Sequence, residues 1–124
     1  MRVYAFGKGF TTMPIQISED ERKALSALYE RIKETFKVKK FILFGSRARG
    51  EAEKYSDIDL LILSEKPKTP EDRYLISDYA ADINIEYGVA LSCLYMNEDE
   101  WESEGQVNPL LKQNIEREGI ALEL

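Results

Sequence analysis

The chain has no histidine and a single cysteine, Cys93, in 124 residues. Lacking histidine, it cannot use an imidazole base or an imidazole metal ligand. The two absences together exclude a structural zinc site of the Cys/His kind. One cysteine cannot form an internal disulfide, so a reducing, cytoplasmic setting is expected. Long apolar runs are missing too. Nothing approaches the roughly 20 residues of a membrane span, and residues 1–17 lack the apolar core and small-residue cleavage site of a secretory signal. No membrane association is expected. Positive charge is scarce: 17 Lys and Arg stand against 23 Asp and Glu, a formal net charge of −6. The one dense basic cluster is Lys37, Lys39 and Lys40. Proteins that grip long nucleic acid present a wide basic face, because phosphate neutralisation supplies most of that affinity. Long nucleic acid is therefore not an expected partner, whereas a nucleotide can be held by a few local groups and metal ions.

What is present suits one small globular domain, with 44% apolar and 32% charged residues and no repeat or low-complexity tract. Residues 1–17 show no clear period and read as a flexible or edge segment, with Met13 an alternative start. The domain itself is placed at residues 18–124. Ser18-Glu19-Asp20-Glu21 forms a capping-box pattern, and Leu25, Leu28, Tyr29, Ile32 and Phe36 recur at helical spacing. They predict a helix over about 19–36, closed by Lys37–Lys40. Phe41–Phe44 reads as a buried strand ended by Gly45, and residues 46–56 as a loop or short helix. A second strand spans 57–63. A helix over 71–87 is expected to pack through Leu75, Ile76, Tyr79 and Ile83 and to stop at Gly88. A third strand covers 89–96. After a linker at about 101–106, a helix over 108–118 packs through Leu110, Leu111 and Ile115. Residues 120–124 read as a last strand or a docked tail. The expected class is α+β: a small mixed β-sheet with helices packed on one face.

The chemistry concentrates in FILFGSRARGEAEKYSDIDLLIL, residues 41–63. Alternation along a strand puts Asp57 and Asp59 on one side and Ile58, Leu60 and Ile62 on the other. Two carboxylates on one face at the start of an apolar strand repel each other. Hard cations relieve that repulsion, and Mg²⁺ prefers carboxylate oxygens together with substrate phosphates. A two-ion site can clamp the attacking and leaving oxygens of an in-line displacement. Gly45 lets backbone approach a phosphate without a Cβ in the way. The Ser46 hydroxyl and the amides after it suit an anion nest, and Arg47 and Arg49 add cationic forks for phosphate oxygens. A bland alternative is that the two arginines pair only with Glu51 or Glu53 at the surface.

With those residues in place, residues 43–63 resemble the MNT-type minimal nucleotidyltransferases of the DNA polymerase beta superfamily. The shared signature is Gly-Ser, a spacer with Arg-x-Arg-Gly, then Ser-Asp-x-Asp-Leu. The element order over roughly 18–120 is similar as well. The resemblance implies a polymerase beta-like fold in which Gly45, Ser46, Arg47 and Arg49 bind an NTP, with ATP the first choice. It implies that Asp57 and Asp59 are catalytic and hold Mg²⁺. It also implies a partner, a small helical HEPN-type protein for which such a chain serves as antitoxin, in some pairs by transferring AMP to a tyrosine.

Active members of that superfamily carry a third carboxylate on a later strand, and the matching position here is Ser92. A serine hydroxyl is a poor base, and loss of a positioned base costs about 10²–10⁴-fold in rate. Asp78, Asp82 and Glu86 share one helix face and Glu98–Glu100 follow the strand, but none is an evident replacement. The leading expectation is Mg²⁺-dependent transfer of NMP from NTP to a hydroxyl on a HEPN-like protein. The alternative is a catalytically weak or inactive module that neutralises its partner by forming a complex. A third reading, nucleotidyl transfer to a small molecule, requires an acceptor pocket for which 124 residues leave little room.

Overall fold

The computed structural model describes residues 2–7, 16–53, 56–66, 69–103 and 105–124. A five-stranded mixed sheet with strand order β1-β5-β2-β3-β4 forms its centre. The strands are β1 (Arg2–Ala5), β2 (Val38–Phe44), β3 (Ile58–Ser64), β4 (Leu91–Asn97) and β5 (Ile120–Glu123). The helices are α1 (Glu19–Ile32), α2 (Ser46–Arg49), α3 (Pro70–Tyr87), α4 (Glu98–Glu102) and α5 (Pro109–Glu118). Only β3 and β4 run parallel; the pairs β1–β5, β5–β2 and β2–β3 are antiparallel. A parallel pair needs a long crossover, and the 18 residues of α3 supply it.

The α+β class and mixed sheet match expectation, and period-2 patterning explains why the sheet has two dry faces. Phe41, Leu43, Leu60 and Ile62 share one core cluster with Leu25, Leu28 and Ile32 of α1 and Ile76 and Ile83 of α3. The alternate residues Ile42, Leu61 and Leu63 join a second, smaller cluster with Trp101 of α4 and Ile115 of α5. The two long helices thus lie on one face, and the short C-terminal helices cover part of the other.

Local patterns that depend on neighbouring side chains held up. Ser18 Oγ accepts from the Glu21 amide while Glu21 Oε1 accepts from the Ser18 amide at 2.8 Å. Gly88 ends α3 in the left-handed conformation at φ 65°, as a C-cap glycine should.

Three expectations are corrected. Lys37–Lys40 does not close the first helix. α1 ends at Ile32, a turn follows, and Val38, Lys39 and Lys40 open β2. The break is made at Lys37, which turns left-handed at φ 50°. The Phe36 amide still donates to the Ile32 carbonyl at 3.1 Å, but the Val38 amide reaches back to the Lys33 carbonyl at 3.0 Å. The chain reverses into β2, with Phe36 buried and edge-on to the Tyr95 ring at 5.9 Å. Leu75 and Leu110 are exposed rather than packed, at 43% and 71%; Ala80 takes the inward place on α3. Residues 98–102 form α4, which buries Trp101, where a polar turn and linker are expected.

At the N-terminus, Arg2–Ala5 is the outer strand, paired with β5; residues 8–15 lie outside the described residues. The C-terminal segment becomes a strand between β1 and β2.

Candidate active site

β2 ends at Phe44, which pairs with Asp59 across the antiparallel β2–β3 ladder. The chain then turns sharply at Gly45, with φ 74° and ψ −158°, a combination open in practice only to glycine. Space imposes the same choice, because a Cβ on Gly45 would collide with Asp59 Oδ2. The turn after β2 is therefore pressed directly onto an acid of β3. Beyond it, the amides of Ala48 and Arg49 both donate to the Gly45 carbonyl at 3.1 Å. They close one helical turn, and the donors that remain at this end of α2 are the amides of Ser46 and Arg47. Ser46 is half-buried.

Asp59 is half-buried and Asp57 exposed. Ile58 and Leu60 point into the α1–α3 core, so alternation puts Asp59 on the other face, as expected. Burial pushes the Asp59 carboxyl above its usual range. The negative charge of Asp57 adds to that rise and the positive charge of Arg49 opposes it. Asp57, Asp59 and Arg49 therefore form one electrostatic unit.

The two arginines part company. Arg47 is buried. One terminal nitrogen donates to the Gln16 carbonyl at 2.9 Å and to Glu21 Oε1 at 2.7 Å, and the other to the Ser56 carbonyl at 2.7 Å. It thus joins the first turn of α1 to the residue preceding Asp57, and both its terminal nitrogens are occupied with protein partners, while its buried Nε meets none among the described residues. Burial alone would raise the Glu21 carboxyl, but hydrogen bonds from Arg47 and from the Ser18 amide outweigh it and hold that carboxyl low. Arg49 is more exposed. Its Nε donates to Glu51 at 3.0 Å, and one terminal nitrogen donates to both carboxylate oxygens of Glu118 at 3.1 and 3.0 Å. The Glu51 pairing matches the bland alternative for Arg49, whereas Arg47 pairs with Glu21 across 26 positions.

Sequence reasoning missed Glu118 and the second role of Glu21. Glu21 had a visible signal as the acid of the capping box, but its partner depends on how α1 meets α2. Glu118 had no positional signal beyond its place before Gly119.

On the next strand, Ser92 lies in register with Asp59 in the parallel β3–β4 ladder and is exposed. Side chains in register across a parallel pair share a face, so the residue beside the acid pair is a serine. Among the described residues, no other acid takes the place. Asp78, Asp82 and Glu86 sit on the outer side of α3, across the sheet from Asp59. Asp82 approaches Arg31 at 3.9 Å. Glu98–Glu100 begin α4, beyond the far end of β4. Among the described residues, no three acidic, cysteine or histidine side chains converge on one metal position.

The chemistry of the pair nonetheless fits a hard divalent cation. Asp57 and Asp59 offer only oxygen donors, their mutual repulsion is relieved by positive charge, and the bare Gly45 backbone leaves no side chain in the way.

A family model described as a nucleotidyltransferase domain matches residues 25–122. A protein of Methanocaldococcus jannaschii named "Putative protein adenylyltransferase" is 30% identical over 105 residues, 83% of this chain and 98% of that protein. A solved structure named for a minimal nucleotidyltransferase aligns with a TM-score of 0.56 at 27% identity, covering 88% of this chain and 97% of that one. A second, a toxin–antitoxin crystal structure with AMP-PNP, aligns with a TM-score of 0.59 at 17% identity. It covers 86% of this chain and 73% of that chain, and at that identity the likeness is one of fold.

Proposed function

Because the chain belongs to the nucleotidyltransferase domain family, we propose that it transfers AMP from Mg²⁺–ATP to a hydroxyl on a protein partner. The observation that carries this reading is the contact between Gly45 and the Asp59 carboxylate, with Asp57 close enough to perturb it. The bare backbone turn after β2 thus borders an acid pair. Ser46, its amide and the Arg47 amide would hold phosphate oxygens. Arg49 would add charge from the side held by Glu118, and Arg47 would act by positioning the loop that leads into Asp57.

In the transfer, the acceptor oxygen forms a bond to the α-phosphorus, the bridging bond to the β-phosphate breaks, and pyrophosphate leaves. The hydroxyl proton passes to the carboxylate face or to solvent. Asp57 and Asp59 would hold Mg²⁺, which when bound neutralises phosphate charge and draws the reacting oxygens together.

The name of the relative from M. jannaschii supports a protein acceptor. The toxin–antitoxin neighbour supports a partner of that kind, which we take to be a small HEPN-like helical protein in the cytoplasm. Incubation of the chain and its partner with α-labelled ATP and Mg²⁺ tests the proposal. Label should appear on the partner and disappear with Asp57→Ala or Asp59→Ala; no label, or label indifferent to both changes, refutes transfer.

Ser92 beside Asp59 favours a second reading, in which the domain neutralises its partner by complex formation alone. It predicts that the double aspartate variant still protects cells from the partner.

A further inference from the structure

Among the described residues, the order β1-β5-β2-β3-β4 leaves β4 with a neighbour on one side only, and its free edge lies one strand away from Asp59. The Ile58 amide donates to the Ala90 carbonyl at 2.8 Å. With the β3–β4 register, this fixes which β4 residues face β3. In a parallel ladder the alternate residues turn both backbone groups the other way. Leu91, Cys93, Tyr95 and Asn97 therefore face the open edge.

The two ends of that edge are closed by side chains. Asn84 of α3 accepts from the Leu91 amide at 2.8 Å and donates to its carbonyl at 3.2 Å, occupying both bonds an added strand would make there. The Asn97 amide is taken by Glu100 at 3.4 Å. Between these stops, the backbone groups of Cys93 and Tyr95 meet no hydrogen-bonding partner at the open edge among the described residues.

A groove of about 460 Å³ runs beside them, walled on its other side by Thr69, Arg73, Tyr74 and Ser77 of α3 and its cap. Tyr74 is 73% exposed. Among the described residues, Arg73 is the one charged side chain lining the groove and makes no ion pair. An edge left open beside a reaction centre, when the rest of the same edge is capped, departs from the usual protection of sheet margins.

We infer that the protein acceptor binds as a short extended strand on the open edge of β4, hydrogen-bonded to Cys93 and Tyr95 and halted by Asn84. The inference rests on Asp57 and Asp59 being the transfer site. Because Asn84 occupies the edge at Leu91, the last residue of the added strand sits level with Ser92, and Ser92 is level with Asp59. Laterally aligned residues share a face, so its side chain projects on the side of Asp59. Strands lie about 4.8 Å apart, which sets that residue about 10 Å from Asp59. A long hydroxyl side chain spans such a gap, and the small, exposed Ser92 lies below its path without blocking it. Arg73 selects a carboxylate a few residues from the acceptor. Backbone pairing supplies the affinity and alternate side-chain pockets the selectivity, as in other strand additions.

The test is an NMR titration of the ¹⁵N-labelled full chain. The probe is a synthetic peptide of β-branched residues with one tyrosine and one glutamate placed three residues before it, or after it in a second peptide. The expected result is saturable shifts centred on the Cys93 and Tyr95 amides, with their hydrogen exchange slowed at least tenfold. N-methylating alternate peptide residues should abolish binding for one parity and spare it for the other. Arg73→Glu should weaken binding about tenfold, and replacing the peptide glutamate by lysine should restore it. No shifts at millimolar peptide, shifts centred elsewhere, or indifference to methylation parity overturn the inference. Mg²⁺–ATP binding is measured separately by thermal shift. A chain that takes the peptide at β4 but not the nucleotide refutes the proposed function alone, and the reverse result refutes only the acceptor strand.

Discussion

Ser92 is the lateral neighbour of Asp59 in the parallel β3–β4 ladder, on the side of the sheet where Asp57 and Gly45 approach the same acid. A carboxylate at this one position would stand beside the pair. Ser92→Asp is expected to raise the initial rate of label transfer from α-labelled ATP by about 10²-fold, within the range of an added general base. The same variant should have a lower melting temperature in EDTA, where a third negative charge is uncompensated, and a larger gain on adding Mg²⁺. An unchanged rate with an unchanged response to Mg²⁺ would show that this position does not complete the site.

Asp59 is ionised at a cost. Its folded-state pKa lies above its usual value of 3.8, so between the two values the folded chain binds more protons than the unfolded one. Stability therefore falls as pH rises through that window. Asp59→Asn should melt higher than wild type at pH 7 without ligand, with the difference vanishing below pH 3.8. Addition of Mg²⁺–ATP should reverse the order, because ligand stabilises only the chain that binds it. Thermal scans across pH, with and without Mg²⁺–ATP, measure both.

Arg47 is expected to matter for stability before it matters for nucleotide affinity. Arg47→Ala leaves the Glu21 carboxylate without its cation and two backbone carbonyls without their donor, at a cost of about 3–5 kcal/mol. Glu21 has a lowered pKa, so its contribution is full above the usual value of 4.5 and is lost as pH falls through the lowered one. Urea titrations should find the gap between variant and wild type wide at pH 7 and narrower in acid.

Gly45→Ala puts a Cβ into Asp59 and a non-glycine residue at φ 74°. A destabilisation of about 1–3 kcal/mol follows from the backbone alone. The thermal shift produced by Mg²⁺–ATP should disappear as well, even under conditions where circular dichroism shows the variant folded.

Cys93 should be inert. Burial pushes its thiol up to about 12, and the thiolate is the reacting form. Alkylation by iodoacetamide at pH 8 is expected to run at least tenfold slower in the native chain than in urea. Equal rates would show the thiol to be accessible.

The sequence by itself determined the local chemistry. The capping box at Ser18 and the alternation that separates Asp59 from Ile58 and Leu60 depend on groups a few residues apart. Spacing alone exposes them. The resemblance to the family placed Ser92 at the third acid's position, and the β3–β4 register sets it level with Asp59.

Only the tertiary structure decided what distant segments do to one another. Arg47 and Arg49 sit two residues apart with the same charge, yet one is enclosed by Glu21, Gln16 and Ser56 and the other reaches Glu118. No local pattern distinguishes them, since the difference arises from how α1 and α5 pack around α2. The same holds for the acids of α3. Their spacing places them on one helix face, but the crossover carries that helix to the side of the sheet opposite Asp59. Phe36 shows the limit most plainly: it continues the helical repeat and is buried against Tyr95, but Lys37 turns left-handed at φ 50° directly after it and the chain reverses into β2.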